Sequence, residues 1–243
     1  MKKVLVLLLV VLSSNVFAQE SVLLRINYTP GDSYTQFIET SQNSGLQIAV
    51  KTSIKTNMKV TEVKDEIINT ESQITSIAMN GMQGGMSLSY DSNANEETLD
   101  QMGKMLQSQF KPMMDAKIMS STDKMGNVVD MSIEPMIPGM DNLTKNSGIA
   151  YPEEAVKVGS TWSSTIEEQG VTMTSTYSVS DIAKGFVYLD ISGEITGLAE
   201  GTISGTAEIE VSSGALKVME MQTSMDAQNM TVKGTTKVTM TKN

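Results

Sequence analysis

The stretch VKTSIKTNMKV, residues 50–60, decides the fold class because its side chains alternate in polarity. One set of alternate positions holds Val50, Thr52, Ile54, Thr56, Met58 and Val60, and the other holds Lys51, Ser53, Lys55, Asn57 and Lys59. A period of two residues is typical of a strand with one face in the core and one in water. The enrichment in Val and Thr agrees with this interpretation. The stretch therefore predicts a half-buried β-strand.

The same alternation recurs along most of the chain, for example at 187–195 and 232–240. Turn signals separate these runs: PGD at 30–32, NSG at 43–45, KMGN at 124–127, AKG at 183–185, SSG at 212–214 and VKG at 232–234. Short turns between alternating runs are typical of antiparallel strands joined by hairpins. The sequence therefore predicts a mainly antiparallel, all-β fold.

One segment, residues 95–111, has helical periodicity instead. Its apolar residues recur at i, i+3, i+7, i+11 and i+14, which places them on one helical face: Leu99, Met102, Leu106, Phe110 and Met113. Asn93 or Asn95 can cap the helix, and Pro112 is expected to end or kink it. The prediction is one amphipathic helix inserted in an otherwise β-rich chain.

Two stretches of the chain resemble each other, PGDSYTQFIET at 30–40 and VGSTWSSTIEE at 158–168. In both, a glycine is followed by an aromatic residue, an Ile and a Glu at the same spacing: Gly31, Tyr34, Ile38 and Glu39, then Gly159, Trp162, Ile166 and Glu167. Further on, Met58, Val60 and Val63 parallel Tyr177, Val179 and Ile182. These similarities predict two related β-meander or half-barrel lobes, at 19–146 with the inserted helix and at 147–243. They also predict structural roles for Tyr34 and Trp162.

The first residues, MKKVLVLLLVVLSSNVFAQ, have the organisation of a secretory signal peptide. Two lysines precede an apolar run of nine residues, which is short of the about 20 needed to span a bilayer. Cleavage is expected between Ala18 and Gln19, so that residues 1–18 are removed. The mature protein is then expected in the periplasm or outside the cell.

The composition excludes several classes of chemistry. The chain contains no His and no Cys, which rules out Ser-His-Asp and Cys-His catalysis and zinc sites built from imidazole or thiolate. A formal net charge of −10 disfavours binding to nucleic acid. No cofactor and no metal site is predicted.

Carboxylates offer two weaker candidates for chemistry. Asp91, Asn93 and Asn95 have the spacing of a calcium loop, but Glu96 and Met102 stand where that loop needs Gly and Glu. A polar connection into the helix is the better interpretation. Glu208 and Glu210 could support glycoside hydrolysis as a pair, although their alternation with apolar residues favours a solvent-facing strand surface. The chain is therefore expected not to be an enzyme.

Methionine is unusually frequent, with 20 residues in the chain and 12 of them between Met79 and Met140. Three interpretations remain open: adaptable core packing, an apolar cavity or docking surface, and thioether ligation of Cu(I). For the second, the candidate ligand-binding residues lie on the predicted helix: Leu99, Met102, Met105, Leu106, Phe110 and Met113. The apolar loop EPMIPGM at 134–140 could cover a sheet or border such a site.

YPEEAVKVGSTW at 151–162, PGDSY near the start and DKMGNVVDM at 123–131 resemble an uncharacterised family of secreted Gram-negative proteins. The shared motif is Pro-x-x-x-Val-x-x-Gly-x-x-Trp, and this chain has Ser160 where the family usually has Asp. The resemblance extends over most of the chain and implies secretion and a β-rich fold, with no activity assigned. A looser similarity, at the level of fold alone, is to the half-barrels of periplasmic lipoprotein carriers.

These observations favour a secreted, non-catalytic binding or carrier protein for an apolar small molecule, a lipid or a partner protein. One alternative is a structural or surface-associated protein whose β-edges contact other proteins. A carboxylate-dependent hydrolase is the third hypothesis. They differ in what should copurify with the protein, since only a carrier retains an apolar molecule.

Overall fold

The computed structural model describes residues 21–45, 48–137, 148–168, 170–227 and 230–243. The predicted signal peptide, the proposed boundary at 146/147 and the end of the EPMIPGM loop lie outside these residues. Twelve strands and one α-helix are described: β1 Ser33–Asn43, β2 Ile48–Lys64, β3 Ile67–Gln83, β4 Met86–Asp91, α1 Gln101–Asp115, β5 Lys117–Asp123, β6 Val128–Glu134, β7 Thr161–Glu168, β8 Val171–Ala183, β9 Phe186–Gly197, β10 Glu200–Glu210, β11 Ala215–Ala227 and β12 Met230–Lys242. The predicted antiparallel all-β fold with one helix is confirmed.

All twelve strands belong to one antiparallel sheet, in the order β6-β5-β3-β2-β1-β12-β11-β10-β9-β8-β7, and β4 pairs with β3 beside this path. The two halves of the chain meet where β1 pairs with β12. Strands β6 and β7 form the two ends of the path, so the sheet is open. None of the helices in the described ranges is long and apolar enough to cross a membrane.

Strands β1 and β7 begin with the same backbone hydrogen bonds. In each, the glycine amide donates to a buried valine, and that valine's amide donates to the residue after the glycine: Gly31, Val60 and Asp32 at β1, and Gly159, Val179 and Ser160 at β7. Both glycines have φ near +90°, a conformation that side chains with a Cβ disfavour. The pairing register also shifts just after each valine. The quoted glycines are therefore required by local backbone geometry.

The sheet is rolled at the end where the N-terminal segment, residues 21–29, crosses it. The amides of Ile26 and Asn27 donate to the carbonyls of Lys124, before β6, and Ser213, before β11, each at 2.8 Å. Because the two amides are adjacent, these carbonyls lie within about 10 Å of each other. In a flat sheet, the five strand spacings from β5 to β11 would separate them by about 24 Å. The sheet therefore curves around the N-terminal segment, and we name this the closed end.

Glycine also allows close contact between strands on the β10 side. A Cβ on Gly205 would lie 2.2 Å from the carbonyl oxygen of Glu220, and one on Gly201 would lie 2.3 Å from that of Ser224. Atoms cannot approach so closely, so these positions accept only glycine without a backbone shift. The prediction of a turn at VKG, residues 232–234, is wrong, because Gly234 lies within β12, opposite Gln42 and Thr223.

The helix differs from its predicted bounds of 95–111. Glu96–Thr98 form a separate 3₁₀ turn capped by Asn95, and α1 begins after Asp100, whose carboxylate accepts from the Gly103 amide at 2.7 Å. The helix continues through Pro112 to Asp115, so of the two expected effects of Pro112, to end or to kink the helix, the first does not occur. Proline in the last turn removes few helical hydrogen bonds, which lowers its cost there.

Candidate ligand-binding face

The strand register divides the sheet into two faces of opposite chemistry. The inner face carries the side chains on the same side as Tyr34, including Ile38, Thr40, Thr52, Ile54, Met219, Met221, Thr236 and Val238 near the centre of the sheet. Toward β7 the same face continues through Ala207, Ile203, Ile191, Ile195, Tyr177, Met173 and Trp162. The outer face carries the alternate residues, which include the strand lysines Lys51, Lys55 and Lys59.

Charge is almost absent from the inner face. By register, two charged residues fall on this face, one at each end of the sheet: Lys242 at the closed end, which pairs with Asp32 at 2.7 Å, and Glu168, the last residue of β7. Burying an isolated charge is costly, so a face that contacts apolar atoms has to lack charge, whereas a face exposed to water does not. The inner face is therefore suited to contact with apolar atoms.

The inner face is covered unevenly. Near β8–β10, the N-terminal segment and the linker segment, residues 148–156, pack on it through Val22, Leu24, Ile149, Tyr151 and Val156. Around the junction of β1 and β12, Ile38, Thr40, Thr52, Met221 and Thr236 are only partly buried. This central part of the inner face, between the helix and the covered region, is therefore partly accessible to solvent.

The candidate helix residues take two different positions. Leu106 is buried against Ile74, Ile77 and Tyr90, and four of the other predicted residues pack around this cluster: Leu99, Met102, Phe110 and Met113. The Phe110 and Tyr90 rings lie 5.5 Å apart. The side chain of Met105 points away and is 54% exposed. The helix thus places the apolar stripe on the inner face of β3 and β4, and Met105 lies outside it.

The outer face has a cavity of about 450 Å³ where β2, β1, β12 and β11 meet. Most of its lining residues belong to the outer face: Glu39, Ser41, Lys51, Glu220, Gln222, Thr235 and Lys237. Lys51 pairs with Glu39 at 3.0 Å, and Lys237 pairs with Glu220, which raises the pKa of Lys237. Three inner-face residues, Thr40, Met221 and Thr236, also line the cavity. Because its charges pair with one another, the cavity is a polar surface feature.

A tyrosine cluster fills the closed end. The Tyr28 and Tyr34 rings lie 4.7 Å apart, and the Tyr151 hydroxyl donates to the carbonyl of Gly214 at 2.8 Å. Burial, followed by the negative charge of Asp32, raises the pKa of Tyr34 to about 12. Burial also raises the pKa values of Tyr28 and Tyr151. The Asp32 carboxylate adjoins the Tyr34 hydroxyl, but within the described residues this hydroxyl makes no hydrogen bond of ordinary geometry.

Asp32 sits beside this cluster at the start of β1. Its carboxylate accepts hydrogen bonds from the amide and hydroxyl of Thr29 at 3.0 and 2.9 Å. The hydrogen bond from Lys242, followed by that from the Thr29 amide, lowers the pKa of Asp32 to about 2. Asp32 thus remains charged at neutral pH and holds the end of β12 against the start of β1.

The calcium-loop residues have structural partners in their own segment. The Asp91 carboxylate accepts from the Asn93 amide at 2.8 Å, and the Asn95 side chain accepts from the Glu97 amide at 3.0 Å. Across the described part of the chain, no three acidic residues are grouped in a way that could hold a metal ion. Glu208 and Glu210 alternate with the buried Ala207 and Ile209 as the sequence predicts.

Sequence reasoning missed the two segments that cover the inner face. A signal for the first exists, since Val22, Leu24, Ile26 and Tyr28 alternate with polar or exposed residues. The linker segment has no such period. Its place is fixed by long-range hydrogen bonds, including one from the Tyr151 amide to the carbonyl of Met125 at 2.7 Å.

An open antiparallel sheet rolled around an apolar face, with one helix on that face, is the class of fold that these observations define. No protein-family model matches the chain, and no curated protein sequence matches it. Among solved structures, it is similar to lipovitellin, in a structure that describes lipid–protein interactions, with a TM-score of 0.55 and 10% sequence identity. The match covers 88% of this chain and 25% of the lipovitellin chain. At this identity the similarity shows the fold alone.

Proposed function

We propose that this protein is a non-catalytic binding or carrier protein for an uncharged apolar ligand, of which a lipid is the leading class. The observation that carries the proposal is the segregation of charge between the two faces of the sheet. A ligand on the inner face would meet Ile, Met and Thr side chains and would lose no ionic solvation there. Hydrophobic contact would then supply most of the binding free energy.

The proposed site lies between α1 and the covered region of the inner face. The apolar stripe of α1 forms one wall, and Ile38, Thr40, Thr52, Met221 and Thr236 form the floor. Methionine side chains on both α1 and β11 can adapt to ligands of different shape. The threonine hydroxyls offer weak polar contacts to an ester or a hydroxyl group without adding charge.

The similarity to lipovitellin supports this choice of ligand. That structure describes lipid–protein interactions, and this chain corresponds to about a quarter of the lipovitellin chain. The similarity shows a comparable fold within part of a protein whose structure describes lipid–protein interactions. The choice of site in this chain rests on its own inner face.

We also propose that the protein is secreted and that its two lobes are related. The N-terminal sequence supports secretion into the periplasm or beyond, with cleavage after Ala18. The matched hydrogen bonds at the starts of β1 and β7 support two related lobes, of which the first carries α1 as an insertion. Intact-mass measurement of protein from a bacterial periplasm tests the cleavage site directly.

The binding test uses Nile red, an uncharged apolar dye, together with a matched pair of variants. Thr236 is partly buried on the inner face, and its neighbour Thr235 is exposed on the outer face. Thr236→Glu places a charge in the proposed site and should weaken saturable Nile red binding at least tenfold. Thr235→Glu makes the same chemical change on the opposite face and should leave the affinity within twofold.

Mass spectrometry of organic extracts from the purified protein identifies any natural ligand. Equal Nile red binding by the two folded variants, or none by the parent protein with no lipid extracted, would overturn the proposal. In that case the leading hypothesis becomes contact with other proteins through the open edges at β6 and β7. Val129 on β6 is 62% exposed, and contact between sheet edges would appear as concentration-dependent association.

A further inference from the structure

The end of the sheet opposite the closed end presents large apolar side chains to solvent. Met82 and Met86 flank the tip of the β3–β4 hairpin and are 52% and 57% exposed. Leu198 forms the tip of the β9–β10 hairpin and is 77% exposed. Single exposed apolar residues are ordinary, but these three lie at the tips of two separate hairpins at the same end of the sheet, which makes that end a candidate contact surface.

The pairing register places these tips at one end. Gln83 pairs with Ile48 at the beginning of β2, and Gly197 pairs with Val171 at the beginning of β8. The N-terminal segment crosses the other end, beside the turns before β6 and β11. The inner face therefore opens at the end that carries Met82, Met86 and Leu198, and we name this the hairpin end.

The Leu198 hairpin is held in place by its neighbour. The Leu198 amide donates to the carbonyl of Gly170 at 3.0 Å. A Cβ on Gly170 would lie 3.0 Å from Cδ1 of Leu198, so the leucine side chain lies against the β7–β8 turn. The exposed leucine is thus part of a fixed surface.

Charge at the hairpin end indicates which apolar partner fits. The tip of the β3–β4 hairpin, QGG at 83–85, is uncharged. Near Leu198 the sequence has Glu194 and Glu200, with no Lys or Arg from residue 185 to residue 216. Acidic groups repel anionic headgroups, whereas zwitterionic headgroups carry no net charge. The apolar tips can therefore approach such a surface without repulsion from a net headgroup charge.

We propose that the hairpin end docks on a lipid bilayer with zwitterionic headgroups, with the side chains of Met82, Met86 and Leu198 entering the interfacial region. The docking rests on the proposed carrier function, because it places the opening of the inner face against the bilayer from which an apolar ligand would transfer. Interfacial apolar side chains gain free energy by leaving water, which supplies the attraction.

The test measures cosedimentation of the mature protein with phosphatidylcholine vesicles. The triple variant Met82→Ser/Met86→Ser/Leu198→Ser should lower the partition coefficient at least tenfold. The control Leu23→Ser/Val158→Ser changes two other exposed apolar residues, 53% and 39% exposed, which lie near the closed end. It should stay within twofold of the parent protein. Circular dichroism confirms that each variant is folded.

The headgroup is tested by replacing phosphatidylcholine with phosphatidylglycerol at low salt. Weaker binding to phosphatidylglycerol, with the difference narrowing as salt is added, supports the assignment. Equal or stronger binding to phosphatidylglycerol would overturn it. Equal loss in the triple variant and the control, or no vesicle binding at all, would overturn docking at the hairpin end. Sedimentation velocity without lipid tests whether the tips instead contact a second copy, which would also overturn it.

Nile red binding separates this proposal from the carrier function. If the triple variant and the parent protein bind Nile red equally and neither cosediments with vesicles, docking is wrong and the carrier function stands. If vesicle binding depends on the tips while neither protein binds Nile red, docking stands and the carrier function is wrong.

Discussion

The indole N–H of Trp162 donates a hydrogen bond of 2.8 Å to the carbonyl oxygen of Ala150. This bond fixes the linker segment to β7, an edge strand of the sheet. The same indole stacks on the Tyr177 ring with centroids 5.5 Å apart. The next linker residue, Tyr151, then reaches the Met125 carbonyl and, through its hydroxyl, Gly214. One short segment thereby connects the edge of the sheet to its closed end.

Trp162→Ala should lower the free energy of unfolding by about 3 kcal/mol, because it removes a large partly buried ring together with its hydrogen bond. Trp162→Phe retains much of the stacking and loses the hydrogen bond, so it should cost about 1 kcal/mol. A larger cost would show that the linker segment also loosens. Urea unfolding followed by circular dichroism measures both changes.

Fluorescence of the parent protein gives an independent check, since Trp162 is the sole tryptophan. Its emission should be blue-shifted relative to free tryptophan in water. An emission maximum like that of the free amino acid, with an unchanged unfolding midpoint for Trp162→Ala, would contradict the structural role.

Two tyrosines at the closed end should respond in opposite directions to loss of the hydroxyl. Tyr34 is 2% exposed and its hydroxyl makes no hydrogen bond of ordinary geometry in the described structure, so Tyr34→Phe should be neutral or stabilising by about 1 kcal/mol. Tyr151→Phe removes the bond to the buried Gly214 carbonyl and should destabilise by about 1 kcal/mol. Thermal unfolding of the pair measures the difference. A loss of stability in both variants would show that the Tyr34 hydroxyl is satisfied in solution.

Acid should weaken the contact between β1 and β12 in a definite pH range. The Lys242 and Thr29 hydrogen bonds lower the pKa of Asp32 from 3.8 to about 2. A lowered folded-state pKa means that the stabilisation is complete above about pH 4 and is lost as the pH falls toward 2. Asp32→Asn lacks this ionisation, so its stability should differ most from the parent protein at neutral pH and converge with it below pH 3.

Urea midpoints measured between pH 7 and pH 2 give the two curves. Lys242→Met removes the main partner of Asp32 and should reduce the acid dependence in the same range. Parallel curves for the parent protein and Asp32→Asn over the whole range would rule out a role for this ionisation.

The sequence predicted the faces of the sheet better than its shape. Alternation at Val50–Val60 assigned the inner and outer sides of β2 correctly, because a two-residue period is a local property of a strand. The rolling of the sheet depends on hydrogen bonds between residues about 100 to 190 positions apart, such as Ile26 with Lys124 and Asn27 with Ser213. A local residue pattern contains no information about contacts between residues so far apart in the sequence. The position of Gly234 in β12 was missed for the same reason, since its neighbours lie on β1 and β11.

The candidate ligand site was predictable in part. The helical stripe correctly placed Leu106, Phe110 and three further residues on one side, since a 3.6-residue period is also local. Met105 did not fit the stripe by spacing, and the structure places it in solvent. The floor contributed by β1, β2, β11 and β12 could not be predicted, because it requires the pairing of β1 with β12 across the whole chain.

Two adjacent residues of α1, Met105 and Leu106, lie in opposite environments. Leu106 is 7% exposed and contacts Ile77 and Tyr90 in the cluster beneath α1, whereas Met105 is 54% exposed. Leu106→Ala should destabilise the protein by about 2–4 kcal/mol, because it removes buried apolar volume and leaves a cavity. Met105→Ala removes a side chain of similar size from the solvent side and should change stability by no more than about 0.5 kcal/mol. Urea unfolding of both variants, with helix content followed by circular dichroism, measures the contrast. A cost below about 1 kcal/mol for Leu106→Ala would mean that α1 is held loosely on the sheet, and the proposed wall of the ligand site would then have to be assigned to the strands alone.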